Sequence, residues 1–219
     1  MMDCRVKPGN DAEYFDPDHM AKGRAAAKAR FRMVIDGFRR PQMLIGVRPA
    51  MTDLSITILP ETPEDALPIE RLHERTFGPG RYARTAFRIR EGIGHSLDLS
   101  FIARIGTLLV GSLRLSPVRI GEAPALLLGP LTIEPPFRDR GIGMALMQRA
   151  IADAKAGGHR LIVLVGDEPY YARVGFKRIR KGQVKMPGPV DPARLLMLEL
   201  ADGAFEGVTG EVRPDWEAV

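Results

Sequence analysis

The chain has a single cysteine, Cys4, among 219 residues. No disulfide can form within it, which fits a reducing compartment. Cys4 also lies in a stretch without sustained apolar periodicity, which argues against an acyl-cysteine relay. Histidine is scarce. His19, His73, His95 and His159 are scattered without metal-ligand spacing, so each is expected on the surface or in a loop, and no metal is expected. No apolar run approaches the roughly 20 residues of a membrane-spanning helix, and the N-terminus lacks the apolar core of a signal peptide. A cytoplasmic location is therefore expected, with no membrane contact from the body of the chain. Charge of one sign is also missing from most of the chain. Of the net +5, residues 1–50 hold 10 Lys/Arg against 6 Asp/Glu, and the remainder holds 22 against 21. A nucleic-acid partner is not expected for a body so nearly neutral.

The apolar fraction of 45% supports one good-sized core. Residues 1–50 differ from the rest. AKGRAAAKAR has the alanines for a basic helix, which would suit RNA, an acidic partner or a membrane surface. The reading adopted is a disordered or non-native extension, with Met43 and Met51 as internal starts, followed by a single domain over 51–219.

Within that domain, Ser55 to Leu59 alternates as a strand. Thr62-Pro63-Glu64-Asp65 opens a helix whose apolar positions are supplied by Leu67, Leu72 and Phe77, and Gly78-Pro79-Gly80 stops it. Tyr82 to Gly92 reads as a second helix carrying Arg84, Arg88 and Arg90. Leu97 to Arg104 and Thr107 to Val118 form a hairpin, and Ala125 to Ile133 the next strand. Met144, Met147, Ile151 and Ala154 mark an amphipathic helix ended by Gly157-Gly158. Leu161 to Val165 is β-branched and apolar throughout, as in a strand buried on both faces. Asp167 caps a short helix. Strands at Phe176–Ile179, Leu195–Leu200 and Gly207–Val212 complete the chain. The class is mixed α/β, with antiparallel hairpins early and one crossover helix between parallel strands.

The chemistry concentrates at Arg138-Asp139-Arg140-Gly141-Ile142-Gly143, between strand and helix. Glycine permits a tight turn and close approach of N–H groups to a ligand. The first amides of a helix lack intrahelical partners and carry the positive end of the dipole, so a pyrophosphate fits there. Arg138 and Arg140 add guanidinium groups suited to phosphate. No Gly-Lys-Ser/Thr follows, and G-x-G-x-x-G is absent, which disfavours nucleoside triphosphates and nicotinamide dinucleotides.

These residues resemble the GNAT superfamily of acetyl-CoA-dependent N-acetyltransferases. Its main signature is Gln/Arg-x-x-Gly-x-Gly/Ala at a helix start, matched by Arg138 to Gly143. LLLGPLTIEP resembles the family's central strand, and YYARVGF its Tyr-x-x-x-Gly-Phe element. The resemblance covers roughly 53–212, and is nearest to a bacterial subgroup with LGPLxVxP and YYxRxGF segments.

The resemblance implies a mixed, mostly antiparallel sheet flanked by helices, with one parallel crossover after the pyrophosphate loop. Acetyl-CoA is the implied co-substrate, with pyrophosphate on Arg138, Asp139, Arg140, Gly141, Ile142 and Gly143. The pantetheine arm would pair with Leu131, Thr132 and Ile133, where a backbone N–H polarises the thioester carbonyl. An amine of a small molecule or a protein attacks directly. Tyr171, four residues before Gly175, is the implied general acid, in preference to Tyr170 by motif register. The general base is open between Glu134, Glu74 and a water chain. The second region of arginines helps form the acceptor site in the family, and homodimers are common in it. The alternative function is a non-catalytic acyl-CoA-binding or regulatory module.

Overall fold

The computed structural model describes residues 55–79, 85–90 and 93–218. The expected extension over 1–50 and both ends of the expected helix over 82–92 lie outside the described residues. Nine strands and four α-helices are found within them.

β1 (Ile56–Pro60), β2 (Phe101–Ile105), β3 (Leu108–Ile120) and β4 (Ala123–Ile133) form an antiparallel meander. The helix α3 (Ile142–Ala156) then crosses over to β5 (Leu161–Val165), which lies parallel to β4. β8 (Leu195–Glu199) and β6 (Lys177–Arg178) extend that side antiparallel. β9 (Gly210–Pro214) pairs with Val118–Ile120 of β3 and with β7 (Val184–Lys185). The sheet is thus mixed and mostly antiparallel, with one crossover between β4 and β5.

Most sequence signals fall where periodicity places them, and the differences have local causes. The strand expected from Leu97 begins only at Phe101, because Leu97–Leu99 forms a 3-10 turn. The strand expected over Phe176–Ile179 pairs only at Lys177–Arg178. β7 was not foreseen; it lies in a Pro/Gly-rich stretch whose local propensity opposes a strand. Leu67 does not face inward: it is 60% exposed, while Ile69 and Leu72 on α1 (Ala66–Phe77) are fully buried. At this helix start, the Thr62 N–H and hydroxyl both donate to Asp65, at 3.0 and 2.9 Å.

The core is split by the sheet. On one face α3 presents Ile142, Leu146, Met147, Ala150 and Ala154 to Phe101, Leu113, Leu115, Leu126 and Leu128. On the other face α1 packs Ile69 and Leu72 on Ile102 and Leu109. Further along the sheet, α2 (Thr85–Arg90) contributes Ile89 to a second cluster around Val118, Ile120, Leu127 and Val163.

The two leucines of α1 give a direct test of its orientation. Leu72→Ala should cost about 2–5 kcal/mol in urea unfolding, as buried truncations do. Leu67→Ala should change stability by no more than about 0.5 kcal/mol.

Candidate active site

β4 and β5 pair only at Leu126 with Ile162 and at Leu127 with Val163. Past Leu127 they separate. The cause lies across β4, in its pairing with β3. Leu115 faces Leu128 and Leu113 faces Leu131, so Gly129 and Pro130 stand opposite the single residue Arg114. This is a β-bulge, which bends the strand that carries the extra residue. Gly129 adopts φ +127°, which glycine tolerates and other residues rarely do. From Leu128 onward β4 keeps β3 on one side and has no partner strand on the other among the described residues.

This open edge runs toward the N-terminus of α3. β4 ends at Glu134-Pro135-Pro136, where a 3-10 turn takes over. Arg138, Asp139, Arg140 and Gly141 are all exposed, while Ile142 and Gly143 are buried. Gly141 is the N-cap of α3 in the left-handed conformation, φ +80°, and no side chain caps the first amides. Arg140 lies over the Phe137 ring at 5.5 Å, and Arg138 Nε donates to the Ile133 carbonyl at 3.4 Å. Leu131 and Ile133 pack toward the α3 face. Thr132 faces the other way, 1% exposed, opposite Ser112.

The single-turn helix α4 (Glu168–Tyr171) brings two tyrosines to this region. The Asp167 backbone carbonyl accepts from the Tyr170 and Tyr171 amides, but its side chain does not cap; it pairs with Arg194 at 3.2 Å. A methyl group on Gly143 would collide with the Tyr170 hydroxyl and lie 3.7 Å from Leu131, so that hydroxyl sits at the start of α3, near Leu131 of β4. The Tyr171 ring packs on Gly166, edge-on to Tyr170 and Phe176 at centroid distances of 5.2 and 5.9 Å. Burial pushes the Tyr171 phenol up to about 12, and the neighbouring Tyr170 and Asp167 add to this. Burial raises Tyr170 as well. Both phenols hold their protons at neutral pH and are set to donate rather than accept.

The two carboxylates considered as bases occupy different settings. Glu134 is 15% exposed and ion-paired with Arg75 of α1, at the loop end of β4. Glu74 is exposed on α1.

The sequence alone did not point to the polar cluster on the α1/α2 face of the bulge. Glu61, 4% exposed, accepts from Arg114 Nε at 2.9 and 3.1 Å and pairs with His95 Nε2 at 3.0 Å. Burial alone would raise its pKa, but the hydrogen bonds and charges of His95 and Arg114 hold it below the usual value. His73, expected at the surface, is 5% exposed, with Nε2 3.3 Å from Ser112 Oγ. Burial and the Arg114 charge lower its pKa to about 4, so the imidazole is neutral at pH 7. Its place on the inner stripe of α1, between Ile69 and Thr76, is the signal that helical spacing offered.

An uncapped helix start, two flanking arginines and an open strand edge leading away from it suit a pyrophosphate with an amide-bearing arm. The sequence model of the acetyltransferase (GNAT) family matches residues 66–176. The chain belongs to this family. As a member it is an acetyl-CoA-dependent N-acetyltransferase. The uncharacterized N-acetyltransferase YhbS of Escherichia coli K12 is 27% identical over 154 residues, covering 69% of this chain and 92% of YhbS. The crystal structure of YhbS with CoA superposes with a TM-score of 0.64 at 26% identity, over 74% of this chain and 91% of that one. A GNAT acetyltransferase from Brucella melitensis, solved with acetyl-CoA, gives 0.57 at 27% identity, over 76% and 99%. Among the described residues no helix is long and apolar enough to cross a membrane, and no cluster of three or more His, Cys, Asp or Glu side chains is placed to hold a metal ion.

His73 gives this family member a pH signature. Its pKa is about 4 folded and 6.5 for the free side chain, so between these values the unfolded chain binds more protons. Stability is fully present above pH 6.5 and falls as pH drops toward 4, by roughly 3 kcal/mol in all. Urea unfolding from pH 7 to 4.5 should show this loss, and His73→Gln should remove most of it.

Proposed function

We propose that this chain moves an acetyl group from acetyl-CoA to a primary amine by direct attack. The observation that carries the proposal is the continuity of the uncapped α3 start with the open edge of β4. When bound, acetyl-CoA supplies an activated acetyl thioester. The backbone from Arg138 to Gly143 holds its pyrophosphate, with Arg138 and Arg140 countering the charge. Leu131 and Ile133 offer backbone groups to the arm, as an added strand would use them, while Thr132 between them turns its own toward Ser112 of β3. Pro130 has no N–H, so the Leu131 amide is the first donor past the bulge, and it is the one we assign to the thioester carbonyl oxygen.

Position along the strand divides the two tyrosines. The Tyr170 hydroxyl stands at Gly143, where the phosphates would lie. We assign it to binding. Tyr171 is assigned as the acid that protonates the departing thiolate. Its raised pKa keeps the phenol protonated at neutral pH, so the proton is in place as negative charge develops on the departing sulfur. Glu134 is committed to Arg75, which favours a base supplied through water over direct use of that carboxylate. A non-catalytic acyl-CoA-binding module would use the same loop and edge without needing Tyr171.

Calorimetric titration of acetyl-CoA into the full-length chain, with CoA release measured over an amine panel, tests the scheme. Tyr171→Phe should lower kcat by about 10²- to 10⁴-fold, the range for a general acid, with acetyl-CoA affinity kept. Tyr170→Phe should weaken acetyl-CoA binding with a smaller effect on kcat. Unchanged turnover in Tyr171→Phe removes it from the mechanism. Gly141→Val should abolish cofactor binding, because a β-branched residue is strained at φ +80° and crowds the phosphates. Normal affinity in that variant would move the site elsewhere.

A further inference from the structure

The face of the bulge opposite α3 has an imbalance of charge and hydrogen bonding. Arg90, in the last turn of α2, places Nη1 over Gly129, 3.4 Å from where a side chain at that residue would begin. That nitrogen is cut off from solvent and has no hydrogen-bond partner among the described residues. A buried guanidinium without a counter-charge is costly, and such charges are ordinarily paired. The neighbouring carboxylate does not serve it, since Glu61 is already taken by Arg114 and His95. Arg114 instead adds a second positive charge nearby. Burial first, then Arg114, lowers the Arg90 pKa to about 10, which leaves it charged at pH 7.

A second observation points the same way. Thr132 Oγ1, Ser116 Oγ and Thr76 Oγ1 are also buried without partners among the described residues. Thr132 and Ser116 lie on β4 and β3 on either side of the bulge, and Thr76 is one turn along α1 from His73, which itself reaches Ser112. Hydroxyls left without partners on the two strands that form the bulge, together with an unpaired cation over Gly129, suit a polar, negatively charged group there. Apolar packing would not leave them so.

We infer that the acceptor carries a carboxylate beside its amine, and that Arg90 binds this carboxylate at Gly129. The inference rests on the acetyl-transfer reading above for the position of the reacting carbonyl. The bulge that opens the β4 edge for the donor also carries Gly129, so a carboxylate held there keeps its own amine next to Leu131. Arg90 is then a specificity determinant: it touches the substrate but not the reacting atoms.

Two measurements on the full-length chain test this. In the first, propionate is titrated while the arginine Nε–Hε signals are followed by NMR, with Arg90 identified by its loss in Arg90→Met. Propionate should shift the Arg90 signal saturably, propionamide should not, and the exposed Arg213 should stay unmoved. In the second, a set of amino acids is compared with the corresponding amino acid amides as acceptors. The acids should be favoured in kcat/KM by about 10- to 100-fold, as for a hydrogen bond to a charged group, and Arg90→Met should bring the ratio near one while acetyl-CoA affinity holds. Absence of a saturable propionate shift overturns the inference, as does equal use of acids and amides or an unchanged preference in Arg90→Met. A propionate shift with no turnover of any amine supports the anion site and counts against acetyl transfer. Turnover without the shift does the reverse.

Discussion

The site depends on one constraint, that β4 leaves β5 after two paired residues. A strand inside a sheet normally satisfies its backbone on both sides, and buried N–H and C=O groups left unpaired cost free energy. Here the bulge at Gly129-Pro130 turns β4 away, and the backbone from Leu128 to Ile133 keeps a free edge in the interior of the sheet. A ligand with amides of its own can occupy that edge at little reorganisation cost. The same turn of the chain sets the direction of the edge, which leads to Pro135-Pro136 and the α3 start. The exposed turn before α3 and the open strand are thus two consequences of how one strand ends.

The sheet also separates two kinds of environment. Its α3 face is apolar and closely packed from Phe101 to Leu200, so it holds α3 and the loop rigidly. Its other face, near the bulge, carries Glu61, Arg114, His73, Ser112 and Arg90. Burying the Glu61–Arg114 pair gives little net stability, because desolvation offsets most of the attraction. Its effect is orientation: a two-nitrogen contact fixes the Arg114 side chain opposite Gly129 and leaves the carboxylate unable to neutralise Arg90. The two faces of one strand therefore present environments of opposite character.

Local signals made much of this legible. The 3–4 residue spacing after Gly143 and the β-branched run at Leu161–Val165 located α3 and β5, and glycines between strand and helix located the loop. Leu67 is an apolar position of α1 that stays exposed, because Ile69 and Leu72 set the direction the helix buries. β7 failed because two residues paired to β9 leave no local trace. In the polar cluster, Glu61 and Arg114 are 53 positions apart, and only tertiary pairing brings them together. His73 looked isolated because its partner, Ser112, is 39 positions away. Asp167 is the N-cap that its neighbours suggest, but its carboxylate is claimed by Arg194, remote in sequence.

The adjacent tyrosines follow the same logic of space made by missing side chains. Consecutive helical residues point about 100° apart, so two rings in a single turn cannot serve one point. Gly143 leaves room for the Tyr170 hydroxyl and Gly166 for the face of Tyr171, so any side chain at either glycine would evict the ring beside it. The edge-on contact between the rings, and that of Tyr171 with Phe176, fixes both in the aromatic geometry of lowest energy. A one-turn helix has too few internal hydrogen bonds to be rigid alone. Its order comes from these contacts, and so does the separation of the Tyr170 hydroxyl, at Gly143, from the Tyr171 ring, at Gly166.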